Sequence, residues 1–203
     1  MQSGHLYLIL AGLLLGTLGV FVRFIGLPTP LIAFGQALLT SLLMLGGFLI
    51  VSKKRQLANS SIEKREALIS LVISGAAFTL TSISLYYAFS SIDVFSANIL
   101  FYIAPVYVAL TAPIFLKEKL EPRTLAALAI SFLGIILIGL PQWGGASFNL
   151  LGVLLGVVSG LAFAAMIIYS KKASSVFSSY EIVWGQQIIT AALLFPFVLS
   201  SFS

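Results

Sequence analysis

Few side chains in this chain can do chemistry, and most of those are uncharged. Gln36 and Gln186 recur in one pattern, Gly-Gln with a Thr four residues after the amide, at 35–40 and 185–190, and Gln187 stands beside the second. An amide donates and accepts, which suits a neutral or zwitterionic ligand; it equally suits a structural hydrogen bond between helices. Residues at i, i+4, i+7 and i+11 share a helix face. One such face carries Gly75, Thr79, Ser82, Tyr86 and Ser90, another Asn98, Tyr102, Pro105 and Ala109, and a third Gly12, Gly16, Gly19 and Arg23. The hydroxyls can line a polar lumen or bond back to their own helix. The glycines can leave lumen space or simply let two helices approach closely. Asn98 needs a partner helix or water, because hydrocarbon offers it no hydrogen bond. Pro105 frees the carbonyl of Phe101, which gives either a fixed kink or a hinge.

Other chemistry lacks its residues. His5 is the sole histidine and there are no cysteines. Asp93 and Glu181 lie at the ends of apolar runs, and the other acids are in the gaps between them. Without a nucleophile–base pair or a metal-ligand set, an enzyme is not expected, and neither is a metal or cofactor. An intramembrane proton relay is missing as well, so transport by these residues alone would be facilitative or by exchange.

These side chains must be positioned by elements that lipid solvates. The chain has 203 residues, 60% hydrophobic and only 8% charged, with a mean hydropathy of +1.11. So few charges cannot cover a water-facing surface. A membrane span needs about 20 apolar residues. Seven runs qualify: residues 6–25, 31–51, 67–90, 94–116, 124–140, 150–170 and 182–199. Lys53, Lys54, Arg55, Lys64 and Arg65 follow the second run, Lys117, Lys119 and Arg123 the fourth, and Lys171 and Lys172 the sixth. The intervening gaps hold no Lys or Arg, so the positive-inside rule places the N-terminus in the cytoplasm. Arg23 is then the one basic residue at the outer side, as a substrate contact or as a snorkel to lipid phosphates. Basic residues split among short loops are no nucleic-acid signature, and the expected partner is the bilayer. Ser60, Ser61 and Glu63 fit the start of a short extension of the third run.

The chain also repeats itself. A shift of 140 lays Gly12 and Gly16 on Gly152 and Gly156, and a shift of 150 lays Gly35, Gln36 and Thr40 on Gly185, Gln186 and Thr190. The first run points outward and the sixth inward, so the two copies are inverted, as in many secondary transporters. Residues 1–145 then form a five-helix repeat and 146–203 the first two helices of a second. By this arithmetic three spans are missing. The fold expected is an all-α polytopic membrane protein, an inverted 5+5 helix repeat with its second half incomplete.

Residues 103–110, Ile-Ala-Pro-Val-Tyr-Val-Ala-Leu, then Leu116-Lys117-Glu118-Lys119-Leu120, then the run to Leu140 with Gly134 and Gly139, resemble the EamA-type repeat. That resemblance implies the drug/metabolite transporter superfamily, with ten spans in two inverted repeats and substrates among amino acids, metabolites, nucleotide-linked sugars and drugs. It makes Glu118 a marker of the turn after the fourth span. Such proteins often carry a basic residue where this chain has Gln36, which speaks against an anionic substrate there. The function expected is secondary transport of a small metabolite or drug-like solute across the inner (plasma) membrane by alternating access. Arg23, Gln36, Thr79, Ser82, Tyr86, Asn98, Tyr102 and Gln186 would line the lumen, with Pro105 as hinge. The alternative is a non-transporting subunit or truncated remnant that needs a partner, whether a second copy or a missing half.

Overall fold

The computed structural model describes residues 17, 19–22, 24–51, 61–115, 122–139 and 149–200, and all regular structure among them is helical. Residues 19–22 and 24–25 are helical, and Gly26, at φ +64°, turns the chain in the left-handed region that glycine enters without strain. Then come α1 (Thr29–Val51), α2 (Ser61–Ser91), α3 (Val94–Phe101), α4 (Ala104–Phe115), α5 (Pro122–Gly139), α6 (Leu150–Ala173) and α7 (Ser179–Ser200). Among the described residues, four stretches are long and apolar enough to cross a membrane: Glu63–Ser91, Val94–Thr111, Leu150–Ala173 and Ser179–Ser200. Thr29–Leu45 and Leu125–Gly134 are shorter apolar helices.

The expected extension of the third run is present, since α2 begins at Ser61 with Glu63 in its first turn. The fourth run is divided. Tyr102 caps α3, its backbone N–H donating to the Asn98 carbonyl, and α4 begins at Ala104. Pro105 thus sits in the first turn of α4, where its missing N–H costs least.

Packing centres on α2, which lies most extensively against α6 and also against α7; α7 in turn packs along α1. Helices in lipid gain little from burying apolar surface against one another, so small residues that permit close approach carry the interfaces. In α6 the buried set is Gly152, Gly156, Ser159, Gly160, Ala162, Ala164, Ile168 and Ala173, nearly all small. On α1, large side chains point outward: Leu39, Leu42 and Leu43 are 60–79% exposed. A compact apolar cluster forms where Val22, Ala33, Leu85, Phe89, Ile92, Ala97 and Leu194 meet.

The glycines of α6 show how close the approach is. A Cβ on Gly152 would lie 2.6 Å from Ile92 Cγ2, and one on Gly156 would lie 2.7 Å from Leu100 Cδ1. A Cβ on Gly160 would lie 3.0 Å from the Leu100 carbonyl oxygen and 3.4 Å from that of Phe101. The carbonyls at the α3–α4 break therefore rest against the barest point of α6.

Candidate functional site

The polar side chains gather along α2 and the helices that cover it. Thr79, Ser82 and Tyr86 are all buried. Thr79 Oγ1 donates to the Gly75 carbonyl at 2.9 Å, Ser82 Oγ to Phe78 at 3.1 Å and Ser90 Oγ to Tyr86 at 3.2 Å. Each hydroxyl thus satisfies itself on the preceding turn of its own helix. Ser90, at the end of that face, is exposed rather than turned inward.

Two of these residues also reach across. Thr79 Oγ1 lies 2.9 Å from Thr190 Oγ1 on α7, a buried hydroxyl pair between residues that lie far apart in the chain. With Thr79 donating to Gly75, the Thr190 hydroxyl supplies the proton between them. The Tyr86 hydroxyl donates to Gln36 Oε1 on α1. The amide of the second Gly-Gln motif is engaged differently: Gln186 Nε2 donates to Ser170 Oγ on α6 at 2.8 Å, and that hydroxyl donates to the Met166 carbonyl at 2.6 Å. The Trp184 indole N–H donates to the Ser41 carbonyl at 3.2 Å, and the Tyr180 hydroxyl donates to the Met44 carbonyl, which fastens α7 along α1.

Gln187 stands apart from this pattern. It is 6% exposed, and its Oε1 meets no donor among the described residues. It lies three residues before Thr190, on the same side of α7. A buried acceptor left without a donor is costly, so it marks a place where a donor belongs.

The remaining expected site residues are placed elsewhere. Asn98 is half-buried on α3, and Tyr102 is 45% exposed at the α3–α4 break with its ring 5.6 Å from that of Phe101. Neither side chain bonds to the amide–hydroxyl group among the described residues. Arg23 and Glu118 lie outside the described residues.

Three polar positions were missed by sequence reasoning. Thr190 stands in the second Gly-Gln motif where Thr40 stands in the first, but nothing in the sequence marks it as the partner of Thr79. Ser170 and Gln186 are equidistant from Ser178 in the α6–α7 turn, the relation that lets residues on two adjacent helices meet. The third is Ser178 itself, which with Glu181 forms a capping box at the start of α7. Glu181 Oε2 accepts from the Ser178 N–H at 2.8 Å, and Ser178 Oγ accepts from the Glu181 N–H at 3.2 Å. That gives Glu181 a structural task.

In the turn between α2 and α3, Asp93 Oδ1 accepts from the Ser96 N–H at 2.8 Å and caps α3. Burial pushes this carboxyl up, but hydrogen bonds from the Ser96 side chain and from the Ser96 and Phe95 N–H groups outweigh it. They hold the carboxyl below its ordinary value. Asn149 caps α6 in the same manner, its Oδ1 accepting from Gly152 N–H at 3.2 Å. Among the described residues no group of three His, Cys, Asp or Glu side chains is placed to hold a metal.

Residues 2–140 match the EamA-like transporter family. A protein of Archaeoglobus fulgidus named "Uncharacterized transporter" is 30% identical over 201 residues, which cover 98% of this chain and 67% of the relative. A second protein of that organism and name is 26% identical over 105 residues, covering 52% of this chain and 37% of the relative.

Proposed function

Because this chain belongs to the EamA-like transporter family and has several helices fit to cross a bilayer, we propose that it moves a small neutral or zwitterionic solute by alternating access. In this reading seven spans derive from an inverted repeat, 1–145 and 146–203, in the inner membrane with the N-terminus cytoplasmic. The solute sits between the repeats, and no enzymatic step, metal or cofactor is involved. Gln36, Thr79, Ser82, Tyr86 and Gln186 border its path, joined by Arg23, Asn98 and Tyr102, and the α3–α4 break at Pro105 is the flexing point.

The observation that carries the reading is the buried acceptor Gln187 Oε1, without a donor and one turn from the Thr79–Thr190 pair. That pair joins residues of the two repeats, where an alternating-access carrier holds its ligand. An N–H or O–H of the solute would supply the missing hydrogen bond. The rival reading is a static subunit that needs a partner. It is favoured by the hydroxyls of Thr79, Ser82 and Ser90, each bonded to its own helix.

The chain has no cysteine, so a single introduced thiol is unique. The test places Cys at Gln187, Ser82 or Gln186 and treats oriented vesicles with a membrane-impermeant maleimide from each side. Alternating access requires labelling from both sides, slowed by the transported solute. Labelling from neither side would leave a sealed structural seam and sink the transport reading.

A further inference from the structure

A crevice of about 130 Å³ runs between α4 and α6, away from the amide–hydroxyl group. Its lining includes Tyr107, Thr111 and Phe115 on α4 and, among the α6 residues, Leu161, Ala165 and Tyr169, these two triplets each at four-residue spacing. Four-residue spacing keeps each set on one face, and eight residues of helix rise about 12 Å. The two helices run in the same direction here. Tyr107 lies beside Gly160 at one end, and Phe115 shares Lys172 with Tyr169 at the other. The crevice therefore runs along the helices for about 12 Å, close to the roughly 15 Å depth of one leaflet's hydrocarbon. It is apolar and close in volume to cavities of about 150 Å³ that stay dry and take apolar guests. Leu161 and Phe115 on its rim are 48% and 47% exposed, so it opens on the bilayer.

Among the described residues, a cation stands at one end of this crevice. Lys172 Nζ lies 5.5 Å from the centre of the Phe115 ring and 5.2 Å from that of Tyr169. Two aromatic faces from two helices hold the ammonium in place while leaving N–H donors for an anion. Lys171 adjoins it, and this end of α6 belongs to the basic side of the chain, where anionic lipid headgroups concentrate. Apolar length and terminal positive charge together match one kind of molecule.

We propose that the α4–α6 crevice binds an anionic phospholipid of the cytoplasmic leaflet, one acyl chain lying between Tyr107 and Tyr169 and the phosphate on Lys172. The inference rests on the membrane placement of the chain and not on transport, so a chain that moves no solute still tests it.

The experiment measures lipid retained by the full chain in detergent micelles, by native mass spectrometry, after equilibration with phosphatidylglycerol or phosphatidylcholine. The wild-type chain should favour phosphatidylglycerol by about fivefold, the effect of one lysine facing an anionic headgroup. Lys172→Gln should remove that preference, and Lys172→Arg should keep it. Ala165→Phe, which fills the crevice and leaves Lys172 in place, should reduce retention of both lipids. Equal retention of the two lipids by wild type overturns the proposal, as does a preference that survives Lys172→Gln. Unchanged retention by a folded Ala165→Phe chain overturns it too, including the case where a second copy of the chain covers this face. Normal elution of Lys172→Arg and Ala165→Phe guards against loss of fold.

Discussion

Helices α6 and α5 are both apolar and both carry glycines, yet they sit in the molecule in opposite ways. In α6 the glycines fall at 152, 156 and 160, and every one of them lies against a neighbour closely enough that a Cβ would collide or press. In α5 no described side chain is buried, Ile130 and Leu137 are 70% and 67% exposed, and a Cβ on Gly134 would meet nothing within 4 Å. An apolar crevice of about 250 Å³ separates α5 from α4. The difference lies in spacing. Glycines four apart form a continuous flat strip on one face, whereas Gly134 and Gly139, five apart, point to different faces. In these two helices, the glycines that repeat every four residues are the ones that pack against a neighbour.

Filling the strip should give the largest effect. Gly156→Val drives a branched side chain into Leu100, whose Cβ already lies 2.9 Å from where the new Cβ would stand. Stability in a detergent unfolding titration should fall by about 3 kcal/mol, the upper end for overpacking. The same substitution at Gly134 should cost little, and a comparable loss at both sites would erase the distinction between the two helices.

How much of this was legible in the sequence follows from how local each signal is. The ends of α1, α6 and α7 fall within a few residues of the apolar runs, because run length and flanking charge are local properties. The break near Pro105 was legible for the same reason, though it falls at 102–103, before the proline, since the ring is harmless in the first turn of α4. The capping box of Ser178 and Glu181 is local too, written in the sequence as Ser-x-x-Glu ahead of an apolar run. Cross-helix pairs were not legible. Thr79 with Thr190 depends on how α2 lies against α7, and Gln186 with Ser170 on how α7 folds back beside α6, which periodicity within one helix does not encode. The polar face of α2 leaves the interface after Tyr86, and Ser90 is exposed, because a helix face can leave the interface before the helix ends.

A second test probes the fixed edge of the strip, where Ile92 meets Gly152 and Asp93 caps α3. Asp93→Ala should lower stability by about 1 kcal/mol, as for loss of an N-cap, while Asp93→Asn should hold it. The folded carboxyl titrates below its ordinary value, so its contribution is complete above the unfolded pKa of about 3.9 and is lost as pH falls through the lower folded value. Melting curves taken from neutral pH down to about pH 3 should show this acid-linked loss in wild type and not in Asp93→Asn. A wild-type chain whose loss matches that of Asp93→Asn would mean the cap carries no charge-dependent part.

A smaller effect separates packing from hydrogen bonding within the same interface. Thr190→Val and Thr79→Val, alone and together, form a cycle around the 2.9 Å hydroxyl pair. The coupling should be about 0.6 kcal/mol, typical of interhelical hydrogen bonds in membrane proteins. Coupling near zero would assign the α2–α7 contact to shape alone and make the polar residues passengers of the strip.

A methyl group added to a glycine should act with opposite sign in the two helices. At Gly134 a methyl group enters open space, so nothing opposes the gain from removing a flexible residue from a helix interior. Gly134→Ala should raise stability by about 0.5 kcal/mol. At Gly152 the same change sets a Cβ 2.6 Å from Ile92 Cγ2 and 2.9 Å from Ser91 Cβ, and the contact should outweigh that gain. Two identical substitutions with opposite signs, read in one unfolding titration, would establish that α6 is held by its bare face and α5 is not. If Gly134→Ala also destabilises, then α5 packs against something, and the obvious occupant of its exposed Ile130 and Leu137 face is another helix rather than lipid.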